Sequence, residues 1–321
     1  MDNKIKISDF TLFVPVRDRQ YNIPKVLEYY KNLDCKKIIF DSSLEKYDEK
    51  LVNEYGFDYV YFDPPINYYE KLNKIFSDYI KTTYVLDCPD DDVALISSLK
   101  MCVDFLKNND DYSCSYGLEL GFDKNSIYPS PTTNGCIGGY LDDYKSNDIF
   151  DRIYRFLTTN PVQIPHTVIR TKLMDDFFKM IVNNKELQYL NYFEKAQQVY
   201  CNIWGNRKVF PIFFRLRNYI DKSNRVHQKF KNELNQGKQF KNHLNEKNLY
   251  PLCDEIIKKD GSKTKEECFK FLRLTLEKNF NNHSSYGQGW CTIPIPKNYE
   301  IKSILNQDND IKNFSKIWMN D

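Results

Sequence analysis

The chain has 321 residues and a mass of 38.4 kDa, enough for one large domain or two moderate ones. Hydrophobic residues make up 41 % and aromatics 15 %, which supplies a real core and excludes a largely disordered chain. With 46 basic against 44 acidic residues the net charge is +2, which excludes a generic polyanion binder.

The mean hydropathy of -0.64 reflects many Lys, Asn and Asp rather than a lack of core residues. No apolar run approaches the roughly 18 residues needed to cross a bilayer. The start, MDNKIKISDF, has no apolar leader, so the expected location is cytoplasmic. The 9 Cys are scattered without a CxxC pair and read as reduced, small hydrophobes, and neither they nor the 4 His have zinc-ligand spacing.

Along the first 120 residues strands and helices alternate. Residues 10–16 (FTLFVPV) form a continuous apolar run, the mark of a strand covered on both faces, and end at Arg17-Asp18-Arg19. A helix follows, with Asn22 as cap, Pro24 in its first turn, and Ile23, Val26, Leu27 and Tyr30 on one face. Residues 37–40 (KIIF) predict a second strand closing on Asp41-Ser42-Ser43, then a short helix over 44–55 ending at Gly56. Residues 57–62 (FDYVYF) predict a third strand. A helical stripe of Tyr68, Leu72, Ile75, Phe76 and Tyr79 comes next, and residues 83–86 (TYVL) predict a fourth strand running into DCPDDD. A helix from Val93 to about Lys107 and a fifth strand over 112–120 complete the series.

Such alternation predicts βαβ crossovers and a mostly parallel sheet covered by helices. Ligands of these sheets sit beyond the carboxyl ends of the strands. The polar groups Arg17/Asp18/Arg19, Asp41/Ser42/Ser43 and Asp90–Asp92 are therefore expected to converge. Residues 121–165 are loop-rich and read as a lid on the acceptor side. Residues 166–170 (HTVIR) read as a returning strand, and helices are expected over 172–182 and 187–204. Residues 204–247 carry 11 Lys/Arg against 3 Asp/Glu and read as a long, polar, helical segment. Amphipathic pieces near 252–257 and 268–276 complete a helical C-terminal extension, so the expected organisation is 1–220 for the sheet domain and 221–321 for the extension.

Three consecutive Asp at a strand end repel one another and raise each other's pKa unless a cation or hydrogen-bond donors intervene. One reading is a site for Mg²⁺ or Mn²⁺, which often take only one or two carboxylates, with phosphates and water completing the shell. The other is a helix N-terminus, where acidic residues favour the dipole. The position after a buried strand favours the metal.

TLFVPVRDRQYNIPKVLEYY resembles the first strand and helix of the GT-A glycosyltransferases, especially the family 2-like group. KKIIFDSS resembles their second strand, and TTYVLDCPDDDV the strand that ends in the Asp-x-Asp motif. The three segments stand in the family's order, and the resemblance covers about residues 10–215. It implies an α/β, GT-A (Rossmann-like) fold and a transfer, hexosyl-like and inverting, from a nucleotide-sugar donor, a UDP-sugar first, to a hydroxyl acceptor. Surface glycan or polysaccharide synthesis, a glycan or lipid-linked acceptor and a divalent cofactor, Mn²⁺ or Mg²⁺, are implied with it. By position, Pro15, Val16, Arg17 and Arg19 would line base and ribose, and Asp41 would contact the base. Asp90 and Asp91 would border the nucleotide-sugar, and Asp92, with Asp90, would hold the metal. Cys88-Pro89 separate Asp87 from the triplet where the family commonly has one residue, so the choice of ligand within 90–92 stays open.

An inverting transfer needs a base on the acceptor hydroxyl. In the family it is an acidic residue on a helix about 100 residues after the metal motif. Glu194 fits best, then Glu186, then Asp175 or Asp176; a lone helical Glu is otherwise a solvated residue. His166 is either a further metal ligand or a structural hydrogen-bonder. Among Arg207, Lys208, Arg215 and Arg217, one is a candidate for the leaving diphosphate, against the alternative of a basic surface or a contact with anionic lipid at a membrane periphery. Gly135, Gly138 and Gly139 lack the context of a phosphate loop. Trp290 reads as a core aromatic or a sugar-stacking one. Two other functions compete: a nucleotidyltransferase, for which RDRQYNIPK lacks the Gly-rich, Lys-bearing loop, and a nucleic-acid-binding module using 204–247, which overall neutrality disfavours.

Overall fold

A computed structural model describes residues 4–122, 127–129, 145–159, 166–188, 190–218, 244–284 and 309–319. The strands are β1 (Ile5–Val16), β2 (Leu33–Asp41), β3 (Asp58–Tyr61), β4 (Tyr84–Asp87), β5 (Asp92–Ala94), β6 (Tyr112–Phe122), β7 (Ile127–Pro129), β8 (Val168–Arg170) and β9 (Asn206–Asn218). They form one sheet in the order β3-β2-β1-β4-β8-β6-β9-β5, with β7 also paired to β6. The pairs β1/β2, β1/β4, β2/β3 and β6/β9 are parallel, whereas β4/β8, β6/β8 and β5/β9 are antiparallel. After β1 the chain builds outward through β2 and β3, then returns to place β4 on the other flank of β1. The order therefore reverses between β1 and β4, which opens a crevice at their carboxyl ends.

The helices are α1 (Ile23–Tyr30), α2 (Glu49–Glu54), α3 (Tyr68–Lys74), α4 (Ile96–Lys107), α5 (Ile149–Thr159), α6 (Thr171–Asn183), α7 (Leu190–Trp204), α8 (Glu246–Lys259), α9 (Lys265–Ser284) and α10 (Asn309–Trp318). The sequence stripes do the packing: Ile23, Val26, Leu27 and Tyr30 of α1, and Leu99, Cys102, Val103 and Leu106 of α4, are all buried. Phe13 of β1 meets Phe40 of β2 and Phe76 after α3, each at 5.7 Å between centroids and edge to face. Continuous apolarity in β1 thus reflects cover on both faces.

Four expectations need correction. The helix placed from Val93 starts at Ile96, because Asp92–Ala94 pair with Arg217, Leu216 and Arg215 as an antiparallel ladder. The expected polar helix over 204–247 is, in its first part, the 13-residue strand β9, whose basic count misleads because Arg207 and Arg215 are buried. The loop-rich 121–165 contains α5. The helix expected over 44–55 is only Glu49–Glu54, begun by Asp48, which accepts from the Leu51 N–H at 3.2 Å. Residues 219–243, Gly135, Gly138, Gly139 and Trp290 lie outside the described residues.

Strands β6 and β9 approach closely where their register shifts. A Cβ on Gly117 would stand 2.4 Å from the Ile212 carbonyl oxygen, so only glycine fits there. At the far end of the chain α10 docks on α1 and β6. Phe314 meets Phe122 at 4.7 Å, and Asp310 accepts the Ser97 N–H at 2.8 Å, capping α4, which has no side-chain cap of its own at Leu95.

Candidate active site

Beyond the ends of β1, β2 and β4 the three polar groups converge. Arg19 forks onto the triplet, one nitrogen donating to Asp90 Oδ1 at 2.6 Å and the other to Asp91. The Asn22 amide, expected to cap α1, instead donates to Asp90 Oδ2 at 3.0 Å. The Asp18 N–H donates to Ser43 Oγ at 2.8 Å, and Asp18 holds φ 57°, a left-handed conformation that Asp tolerates better than most residues. This turn brings the loop after β1 over the end of β2. Asp41, fully buried, accepts from Gln20 Nε2 at 2.5 Å, from Tyr59 Oη at 2.7 Å and from the Ser43 N–H at 2.8 Å. Pro15 and Val16 close the ladder with Phe40 and Asp41, while Arg17 and Asp18 are exposed at the rim.

Asp92 is held from the other side. Its Oδ1 accepts the Asn218 N–H at 3.2 Å, and Arg215 Nε lies 3.6 Å from its Oδ2. Arg215 also donates to Glu119 on β6, so a buried cation stands between two buried carboxylates. The register explains this: Arg215 pairs with Ala94 on one side and with Glu119 on the other, and Arg217 lies opposite Asp92. Burial pushes the Asp87 and Asp92 carboxyls up to about 7 and Asp90 up to about 6, against the opposing pull of Lys71 and Arg215 on Asp87, Arg215 and Arg217 on Asp92, and Arg19 on Asp90.

His166 sits at the same strand end, its Nδ1 3.4 Å from the Asp87 carbonyl oxygen, and burial, then Arg215 and Arg217, hold its pKa well below the ordinary histidine value. Of the basic cluster, Arg207 is buried with its guanidinium 3.8 Å from the Phe156 centroid, and Lys208 lies over Phe105 and Phe210. Only Arg215 and Arg217 of the four border the triplet in the β5/β9 ladder.

Glu194 lies on α7 next to Phe193, whose ring meets that of Tyr68 at 6.3 Å, and Phe193, Tyr68 and Asp87 line one cavity. The strand-end acid and the candidate base therefore share one neighbourhood. Asp175 and Asp176 instead pair with Lys179 at 2.6 Å and Lys172 at 2.7 Å on the surface of α6. Glu186 belongs to a short 3-10 turn, Lys185–Gln188.

Lys71 was not singled out from the sequence. It is buried, donates to Ser42 Oγ at 2.8 Å, and burial lowers its pKa to about 8 against the pull of Asp41, Asp87 and Asp90. The signal was available: Lys71 falls three residues after Tyr68 and four before Ile75, inside the apolar stripe, where a charge needs a partner. Glu119 had no such signal, because its partner arrives from β9.

No protein-family model matches the chain, and no curated protein matches it in sequence. Solved structures do match. The crystal structure of S. aureus TarS 1–349 superposes with a TM-score of 0.54 over 96 % of this chain and 80 % of that one, at 12 % identity. The chain has the GT-A fold. A longer TarS structure gives the same TM-score and identity, and this chain spans about half of it, 49 %. A CMP:2-keto-3-deoxy-manno-octonic acid synthetase overlaps 64 % of the chain at a TM-score of 0.39, too loose a likeness to bear on function. The GT-A frame agrees with the mostly parallel sheet, its flanking helices and the C-terminal helices seen here. No described helix is long and apolar enough to cross a membrane.

Proposed function

We propose that this chain is a glycosyltransferase that moves a sugar from a nucleotide-sugar donor, a UDP-sugar first, to a hydroxyl acceptor. The observation that carries the reading is the meeting of the β1, β2 and β4 ends at the point where the strand order reverses, with the acidic triplet at its centre. Pro15, Val16, Arg17 and Asp41 would border base and ribose, with Asp90 and Asp91 beneath the ribose and diphosphate.

A divalent metal fits this donor set in a limited way. Among the described residues no group of three or more His, Cys, Asp and Glu side chains forms a metal cage. Mg²⁺ and Mn²⁺ nevertheless manage with one or two carboxylates when phosphates complete the shell. Both Asp90 oxygens are taken by Arg19 and Asn22, so the proposal rests on Asp92, with Asp91 or His166 beside it. When bound, the metal supplies positive charge to the diphosphate as it leaves. Arg217, facing Asp92 across the ladder, adds charge from the protein itself. Glu194 would take the proton from the acceptor hydroxyl on the face opposite the leaving group, the requirement of an inverting transfer. A glycan or lipid-linked acceptor, and work at a membrane periphery in polysaccharide synthesis, complete the proposal.

A thermal-shift panel of nucleotide sugars, with and without Mn²⁺, tests it. A donor at about 100 times its Kd adds about 2.7 kcal/mol, which raises the Tm by roughly 3–6 °C. The expected result is a rise with a UDP-sugar that grows with Mn²⁺. No rise with any nucleotide sinks the reading, and an equal rise without metal removes the metal alone.

A further inference from the structure

Behind the end of β4, between the sheet and helices α3, α6 and α7, lies a cavity of about 20 Å³. Its wall is mostly apolar, with Phe13, Val85, Phe178 and Phe193 among the lining residues. Two of its lining residues carry a buried polar atom left without a partner. Asp87 Oδ1 and Gln197 Oε1 are both shut off from solvent and have no hydrogen-bond partner, and both residues line this cavity. Gln197 is 3 % exposed, and its Nε2 donates to the Sδ of Met174, another lining residue, at 3.5 Å.

Each of these oxygens is an acceptor, so a direct bond between the two side chains needs a protonated Asp87 or a turned Gln197 amide, and as they stand neither satisfies the other. What satisfies both is a small group bringing two hydrogens. One water needs about 10–15 Å³ and two to four polar partners, and the cavity meets both conditions. We propose that the cavity is a binding site for a single internal water that donates to Asp87 Oδ1 and to Gln197 Oε1, and that Gln197 is thereby a positioning residue. The water ties the end of β4, which leads into the acidic triplet, to α7. Glu194 stands three residues before Gln197 on that helix, on the adjoining turn. Tyr68 and Phe193, the neighbour of Glu194 in the chain, line the same cavity. The bridge thus fixes the spacing between the donor-side acids and the candidate base, a distance on which an in-line transfer depends steeply. The positioning role rests on the glycosyltransferase reading; the water site does not.

The first test is a crystal structure of the full, ligand-free chain at a resolution that shows ordered water. One peak within hydrogen-bond distance of both oxygens is the expected result. A dry cavity, or a direct hydrogen bond between Asp87 and a turned Gln197 amide, overturns the site. The second test is Gln197→Met, which keeps the volume and removes the acceptor; a glutamate there would set a like charge against Asp87. The Met variant should lose the peak and about tenfold in kcat, with KM for the donor within about twofold. An unchanged kcat in the Met variant, or a loss confined to KM, overturns the positioning role. Absence of turnover by the unaltered protein on every donor fells the glycosyltransferase reading instead, while the crystallographic peak still decides the site.

Discussion

Asp90 and Asp92 stand two residues apart, yet opposite halves of the sheet hold them. Asp90 is gripped from the parallel half, by Arg19 and Asn22 in the loop that leaves β1, and both its oxygens are used. Asp92 is held from the antiparallel half, by a backbone N–H of β9 at 3.2 Å and a guanidinium nitrogen at 3.6 Å that is shared with Glu119. A saturated carboxylate locks two loops together, whereas one with a loosely held oxygen keeps a lone pair for a ligand. On the proposed function, neighbouring members of one motif would divide the work, Asp90 serving the scaffold and Asp92 the chemistry.

The sharpest way to break this division is to remove each acid in turn. Asp92→Ala should cut turnover by at least about 100-fold, the scale of losing a group that acts on developing charge. Its circular dichroism spectrum should stay that of the parent. Asp90→Ala should instead show itself first in stability. Removing one partner of a buried, hydrogen-bonded pair costs about 3–5 kcal/mol, reduced here to about 2–3 because Arg19 keeps Asp91 and is partly exposed. Urea unfolding measures it, and an Asp90→Ala protein as stable as the parent but inactive would reverse the two roles.

Lys71 offers a pH test of the parallel side. Its folded pKa of about 8 lies below the ordinary lysine value of 10.5, so the unfolded chain binds more protons between those two values. Stability from this group therefore rises as pH climbs from about 8 to about 10.5, and the penalty for burying the cation is fully present below about 8. The stability of the parent relative to Lys71→Met, a gap read by melting at each pH, should rise between pH 7 and pH 10. Taking the difference cancels the tyrosines, whose raised values act in the same alkaline range on both proteins. A gap that stays constant with pH would mean that Lys71 is well solvated. The smallest effect belongs to the outer face of α6: Lys179→Ala breaks an exposed pair with Asp175 and should change stability by less than about 0.5 kcal/mol in the same urea experiment.

The parallel half was legible from its own residues. β1, β2 and β4 declare themselves as apolar runs, their polar ends follow at once, and the convergence of Arg19 with Asp90 and Asp91 was predictable from topology. Asp92's surroundings were not. Asp92–Ala94 form a strand only because β9 lies alongside, more than 120 residues later in the chain, where the cross-strand partner of Asp92 is Arg217. β9 in turn concealed itself, because a stretch rich in arginine reads as solvated, whereas Arg207 and Arg215 are buried. Local periodicity carries no record of which distant carboxylate neutralises a buried guanidinium. The same limit hid Glu119, whose partner is on β9, while Lys71 was hidden only by the habit of reading a stripe through its apolar members.

The cap that Asp310 places on the first turn of α4 has a consequence for biogenesis. It joins positions 213 residues apart in the chain. At ribosomal speeds of about 5–20 residues per second, the amide of Ser97 waits roughly 10–40 s for its acceptor during synthesis. Through that interval Phe122 lacks its ring partners Phe314 and Trp318, leaving an apolar surface open to chaperones on the nascent chain.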